Sequence, residues 1–305
     1  MNLVSLQFSI VRVVWKFFHA IANIKGNSRM GTSTTEYISR DHVSKIIIIP
    51  TLRDNYSYVI EHHNEALIID PSSFTPIDKV ISDRALTVKG ILVTHDHMDH
   101  VNDVGKVVQK YKVPVYAAEN ATLPVKHVPV KDGFRVDLGS TFIEALSTPG
   151  HYASGLPLAT VHNNISWYVA SIGVLFTGDI LFSCSYGSIG DADPYYMFTT
   201  LQKIRTLPEQ TALFYGHEYF KKTMHIGRTI DSKNVTVEKR YAEGCNRLGK
   251  GLPTVPVLLQ EEKATNPFLN WDKKELNKKL QCEDKNDYDM FLHLKSLRDE
   301  IIDKM

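Results

Sequence analysis

The sequence predicts a layered α/β domain followed by a smaller helical one, and three observations carry that expectation. From Lys45 onward, short β-branched runs alternate with amphipathic helical stretches. A second set of strands begins near Thr141. Beyond about Tyr219 the composition turns polar and the apolar residues recur at helical spacing.

Taken in order, Ile46-Ile49, Tyr56-Ile60 and Ala66-Ile69 read as consecutive strands, broken by the turn formers Asp54-Asn55 and by the polar run His62-Glu65. Pro76 to Arg84 reads as a helix and Gly90-Val93 as a buried strand. Val101-Tyr111 is predicted as one helix because Val101, Val104, Val107 and Val108 share a face. Val113-Tyr116 follows as a strand, and Thr141-Leu146, Trp167-Ala170 and Val174-Phe176 form the second set. Lys221 to Leu248 is helical in pattern, "GLPTVPVLL" is a Pro-bearing connector, and Asp287-Met305 is a charged amphipathic helix. The expected division is an extension over 1–43, a sheet domain over 44–218 that carries the chemistry, and a helical domain over 219–305.

Composition narrows the function. At 305 residues, with 43% hydrophobic and 23% charged residues, the chain matches an ordinary globular enzyme. A formal charge of +1 lacks the basic excess of a nucleic-acid-binding protein. Cys184, Cys245 and Cys282 are widely spaced, which offers neither a disulfide framework nor a cysteine zinc site. No segment approaches the ~18 unbroken apolar residues of a membrane span. The first thirty residues carry Arg12, Lys16, Lys25 and Arg29 and no acid, and a polar stripe runs through Ser5, Ser9, Arg12, Lys16, His19 and Asn23. That pattern is expected of a mitochondrial transit peptide, and a start at Met30 would leave a cytoplasmic form.

Thirteen histidines are present, and three of them fall in "THDHMDH", Thr94 to His100, directly after an apolar strand. An isolated H-x-H reads as a solvated loop; H-x-H-x-D-H after a strand reads as a metal site. His95 and His97 can converge on one point while Asp99 and His100 turn toward a neighbouring one. Further ligands must come from elsewhere, and three segments offer them. His151 follows a Pro-Gly turn in "STPGHYASG", Asp179 follows Val174-Phe176 in "VLFTGDILF", and His217 follows Ala212-Tyr215 in "ALFYGHEYF". A glycine precedes each (Gly150, Gly178, Gly216), allowing close backbone approach around a crowded centre. Neutral imidazole with carboxylate suits Zn²⁺, Fe²⁺ or Mn²⁺.

With these segments in hand, the chain resembles the metallo-β-lactamase superfamily and, within it, the glyoxalase II (hydroxyacylglutathione hydrolase) family. "TLRDNYSYVI", "LIIDP", "TPGH", "FTGDILF" and "GHEYF" are similar to family segments, and "PTVPVLLQEEKATNPF" (Pro253-Phe268) is similar to a stretch of the helical C-terminal domain that other superfamily members lack. The resemblance implies an αββα sandwich with a helical substrate-binding domain. It implies two divalent metal ions, usually zinc, with iron or manganese accepted. One would take His95, His97 and His151, the other Asp99, His100 and His217, and Asp179 would bridge them. The implied reaction is hydrolysis of S-(2-hydroxyacyl)glutathione, typically S-D-lactoylglutathione, by a bridging hydroxide, the second step of methylglyoxal detoxification by a monomer. Asp99, with a spare oxygen, is the expected acceptor of the water proton.

On the substrate side the chain departs from the family pattern. The family's thiol contacts are a Lys and a Tyr in C-G-[KR]-F-[FY]-E-G, and here "YGSIGDADP" puts Ser188 and Gly190 at those positions. Tyr186 lies close enough to substitute. Tyr219 matches the Tyr after G-H-E, and "LKSLRDE" offers Lys295 and Arg298 for a glycine carboxylate. Leu156 stands where relatives often carry histidine. Lost contacts at 188 and 190 leave room for a trypanothione thioester as an alternative substrate, and a mononuclear-iron glutathione persulfide dioxygenase is the alternative in another reaction class. A nucleic-acid-processing relative and a non-catalytic thiol binder fit the charge and the complete ligand set less well.

Overall fold

The computed structural model describes residues 33–151 and 161–305. The basic N-terminal stretch and Leu156 lie outside the described residues. Two sheets face each other. The first runs in the order β1 (Thr35–Ile38), β2 (Ser44–Thr51), β3 (Asn55–His62), β4 (Glu65–Ile69), β5 (Thr87–Leu92), β6 (Val115–Ala118), β7 (Val128–Val130). The second runs β15 (Val257–Leu258), β14 (Ala212–Tyr215), β11 (Val174–Gly178), β10 (Ile165–Val169), β9 (Thr141–Ser147), β8 (Arg135–Leu138).

Strand β2 shows why the sequence chooses this arrangement. Alternate side chains leave a strand on opposite faces. Ile46 and Ile48 enter the core between the sheets, whereas Ile47 and Ile49 pack toward helices α1 (Phe74–Asp83), α2 (Met98–Val101) and α3 (Val104–Tyr111). Both faces are covered, so the run Ile46-Ile49 is apolar throughout rather than alternating. The inter-sheet core continues past the second sheet to α4 (Pro194–Arg205) through Met197, Phe198, Leu201 and Ile204. The layers are therefore helix, sheet, sheet, helix, the sandwich that the motifs imply.

The helical region holds α5 (Phe220–Ile230), α6 (Val235–Gly249), α7 (Leu259–Thr265), α8 (Lys274–Lys279) and α9 (Asp287–Asp303). It is tied to the sheets by polar contacts in the interior. Glu262, fully buried, accepts from the Tyr215 hydroxyl at 2.8 Å, from the Cys184 amide at 3.1 Å and from Asn266 at 2.9 Å, and pairs with buried Arg240. Among the described residues no helix is long and apolar enough to cross a membrane.

Several elements differ from the sequence expectation. Thr35–Ile38, assigned to the extension over 1–43, pairs antiparallel with β2 and forms the sheet edge. The predicted helix Val101-Tyr111 is two helices, interrupted at Asn102-Asp103, because the Asp103 carboxylate accepts the Phe74 amide of α1 at 2.8 Å. The helical run 221–248 breaks between Ile230 and Val235, where the Asn234 side chain caps α6. The connector "GLPTVPVLL" contributes β15, which pairs with β14.

Candidate metal centre and adjoining cavity

Every candidate ligand follows the C-terminal end of a strand, and the topology brings those ends to one edge. Thr94–His100 follows β5, His151 follows β9, Asp179 follows β11 and His217 follows β14. β11 and β14 are parallel, and Gly216 N donates to the Gly178 carbonyl at 2.9 Å, so Asp179 and His217 leave side by side. The two sheets are stitched at this edge: Tyr56 N donates to the Gly216 carbonyl at 2.8 Å, and Asn55 bridges to His217.

The seven side chains expected from the sequence meet in one place. His97 Nδ1 lies 3.0 Å from His95 Nε2 and 3.1 Å from His151 Nε2. His217 Nε2 lies 3.2 Å from both His100 Nε2 and Asp99 Oδ2. Asp179 reaches both groups, with Oδ2 at 3.2 Å from His217 Nε2 and 3.8 Å from His151 Nε2, and Oδ1 at 3.5 Å from His100 Nε2. Three sets of potential ligands emerge: His95, His97 and His151; Asp99, His100 and His217; and His95, His100 and Asp179.

Four of the rings are oriented from behind. His100 Nδ1 donates to Asp70 Oδ2 at 2.8 Å, His217 Nδ1 to Asp54 Oδ1 at 3.0 Å, and His151 Nδ1 to the Ser188 carbonyl at 2.9 Å. His95 Nδ1 lies 3.0 Å from the Thr94 hydroxyl, which itself donates to Asp70. Each hydrogen bond aims Nε2 inward, the arrangement that fixes ring and tautomer at metal sites. Asn55 Nδ2 donates to Asp99 Oδ2 at 2.8 Å and holds that carboxylate in place. The sequence reads Asp54 and Asn55 only as turn formers and Asp70 only as part of "LIIDP", with no role at the site for any of the three. A carboxylate directly after an apolar strand, as in Ile69-Asp70, was the available signal. Asp96, within the same motif, accepts the Thr122 amide at 2.7 Å and anchors the loop.

The electrostatics divide the cluster. Burial, with neighbouring imidazoles, holds His95 well below its ordinary pKa and pushes His151 down to about 3. Burial also opposes protonation of His100 and His217, but Asp179 beside both, and Asp99 beside His100, raise them, His100 to about 10. The same charges hold Asp99 and Asp179 far below the carboxylate range in spite of burial. Burial lowers His97 as well, so the centre combines two ionised carboxylates with neutral imidazoles at His95, His97 and His151.

Two glycines make room. Gly178 adopts φ +51°, and a Cβ there would sit 2.5 Å from the Thr94 hydroxyl. A Cβ on Gly216 would lie 2.2 Å from Asp179 Oδ1.

The donor set fits divalent metal. Tetrahedral bonds of about 2.0–2.1 Å put neighbouring ligand atoms roughly 3.3 Å apart, close to the spacings found here. Three neutral imidazoles would otherwise turn lone pairs on one another. Asp179 Oδ1 is buried with no hydrogen-bond partner, so a cation would satisfy an otherwise orphaned oxygen.

A cavity of about 410 Å³ adjoins the centre. The loop Ser185–Gly190, α5 and α9 wall it, and Tyr186, Ser188, Gly190, Tyr219, Lys295 and Arg298 all line it. The Tyr219 ring stacks on His217 at 4.6 Å and 8°, so the cavity wall and the ligand cluster share a surface. Tyr186 is 1% exposed, its ring packed against Phe268 and Phe291, and the Arg298 guanidinium lies 4.4 Å over it. It is a platform for Arg298 more than a free hydroxyl facing a ligand.

This fold and site define a metallo-hydrolase of the β-lactamase type. Residues 50–217 match the model of the Metallo-beta-lactamase superfamily, and residues 218–301 match that of the Hydroxyacylglutathione hydrolase C-terminus. A hydroxyacylglutathione hydrolase of Hahella chejuensis is 34% identical over 230 residues, covering 74% of this chain and 86% of the relative. One from Nostoc sp. is 32% identical over 266 residues, covering 84% and 99%. Among solved structures the BLEG-1 B3 metallo-beta-lactamase shares the fold, with TM-score 0.53 and 20% identity over 78% of this chain and 99% of that one. The chain belongs to the hydroxyacylglutathione hydrolase family of the metallo-β-lactamase superfamily.

Proposed function

We propose that the chain hydrolyses S-(2-hydroxyacyl)glutathione thioesters, S-D-lactoylglutathione first among them, to the 2-hydroxy acid and glutathione, the second step of methylglyoxal detoxification. The observation that carries the reading is the shared wall. Tyr219 and Ser188 belong at once to the surroundings of the ligand cluster and to a cavity formed with the family's helical module. On this reading the sheet domain supplies the chemistry, and residues from 219 onward, with the loop Ser185–Gly190, hold the thiol half.

His95, His97 and His151 would hold one metal ion, Asp99, His100 and His217 a second, and Asp179 both. Zinc suits the nitrogen-rich set best, and iron or manganese suit it as well. Cations held there would lower the pKa of water toward ~7 and polarise the thioester carbonyl. The protein's own groups do the rest. Asp99 Oδ2 is fixed by Asn55, and Oδ1 makes no hydrogen bond among the described residues, which leaves it to accept the proton of the attacking water. Tyr219 and Phe182, 5.2 Å apart, both pack beside His217 and line that side of the cluster. As the carbonyl carbon gains oxygen, the C–S bond breaks, and a thiolate with a pKa of ~8.5 leaves without an acid. Action as a monomer belongs to the same reading, and size-exclusion chromatography with light scattering would check it. The basic, acid-free pattern of residues 1–30 supports delivery to mitochondria, which a fluorescent fusion would check.

The test is metal analysis of purified protein together with hydrolysis of S-D-lactoylglutathione. Two metals per chain with thioester cleavage is the expected result; a metal-loaded protein that leaves the thioester intact would overturn the reading. Asp99→Asn should retain metal but lose turnover by about 100-fold; full turnover in that variant would remove Asp99 from the proton-accepting role.

A further inference from the structure

The cavity lacks a cation at position 188, yet its charges are not evenly spent. Lys295 Nζ donates to Asp299 Oδ2 at 2.7 Å. Arg298 divides its guanidinium among Ser185 Oγ at 3.2 Å, Asp299 Oδ1 at 3.1 Å and the Tyr186 carbonyl at 3.0 Å, with its plane over the Tyr186 ring. Both are therefore committed within the protein, sharing the carboxylate of Asp299. Lys222 also lines the cavity, and it makes no hydrogen bond or ion pair among the described residues. It lies on α5 three residues after Tyr219, so it shares the face that Tyr219 and Ile226 present to the cavity.

We propose that Lys222 anchors a carboxylate of the substrate's thiol half, supplying from α5 the positive charge that the loop 187–190 does not. The inference rests on the glutathione-thioester reading. Charge balance supports it: the lining carries Lys222, Lys295 and Arg298 against Asp299 and Asp303, a net +1. The peptide half of a glutathione thioester carries two carboxylates and one ammonium, a net −1. A carboxylate entering the cavity meets one lining cation that has no hydrogen bond or ion pair among the described residues, and that is Lys222. A lysine ammonium on a four-carbon stem can reach the ligand without a fixed geometry, which a guanidinium locked on an aromatic ring cannot.

The experiment compares wild type, Lys222→Ala and Lys221→Ala, whose lysine is exposed and does not line the cavity. On S-D-lactoylglutathione, Lys222→Ala should raise KM about 10-fold while kcat stays within about twofold, the pattern of lost uniform binding. The inhibition constant of free glutathione should rise in parallel, and Lys221→Ala should behave as wild type. On the same thioester with both carboxylates esterified, wild type and Lys222→Ala should become equal. An unchanged KM in Lys222→Ala, or an equal change in Lys221→Ala, overturns the anchor and leaves the thioesterase reading intact. Absence of hydrolysis by wild type overturns that reading, and the anchor falls with it.

Discussion

The Asp70 carboxylate accepts three hydrogen bonds, from the Thr94 amide at 2.7 Å, the Thr94 hydroxyl at 2.6 Å and His100 Nδ1 at 2.8 Å. An ionised carboxylate can only accept, so it keeps a proton on His100 Nδ1 and turns Nε2 toward the cluster. Asp70→Asn would present an amide where an acceptor is needed. Metal affinity should fall about 10- to 100-fold, measured by competition with a chromophoric chelator; unchanged affinity would show that ring orientation comes from packing alone. Gly216→Ala tests the opposite limit, that of space. Its Cβ would fall on Asp179 Oδ1, so metal stoichiometry should drop while the circular dichroism spectrum keeps its native shape. The seven converging residues were legible because each stands beside a glycine or inside a dense motif. Asp54, Asn55 and Asp70 were not, because a carboxylate or amide at a strand end is also the commonest turn former, and only the partner across the fold separates the two.

At the scale of elements, apolar patterning located the strands and helices, and partners distant in sequence set their ends. Val101, Val104, Val107 and Val108 keep one face through the break at Asn102-Asp103, so periodicity alone reads a single helix. The break exists because Asp103 caps α1 instead of continuing its own helix. Asp103→Ala should therefore destabilise the protein by about 1 kcal/mol through loss of the α1 cap, read by urea denaturation; a variant of wild-type stability would mean that the Phe74 amide finds another acceptor. Helix α4 carried a usable signal, Asp193 as N-cap followed by Pro194, but its aromatic stretch Tyr195-Tyr196-Met197-Phe198 lacks a polar stripe. Strand β15 is two residues inside a proline-bearing segment, too short for any alternation to show.

At the scale of the molecule, two kinds of bond join the parts. Arg240 and Glu262 link the helical region to the hairpin β12 (Leu181–Phe182) and β13 (Ser185–Tyr186), since Arg240 also donates to Ser183 Oγ at 2.9 Å. Glu262→Ala would leave a buried guanidinium unpaired and should cost about 3 kcal/mol, measured by denaturant titration. The ligand cluster joins the sheets, with Thr94–His100 on one and His151, Asp179 and His217 on the other. Removing metal by chelation should lower Tm, and restoring it should return the original value, because the ions bind the folded arrangement and not the open chain. A Tm indifferent to chelator would mean that the Asn55 and Tyr56 contacts to the second sheet already suffice.

Position 188 has a backbone and a side chain with separate employers. Its carbonyl accepts the His151 ring, and the neighbouring Gly187 packs so closely on the Asp179 carbonyl that a Cβ would come within 1.7 Å. The main chain there is held against His151 and Asp179, while the Ser188 side chain lines the cavity. On the thioesterase reading, such a loop would let thiol preference drift through side-chain exchange without retuning the reaction, and a cation could move from loop to helix while the chemistry stands still.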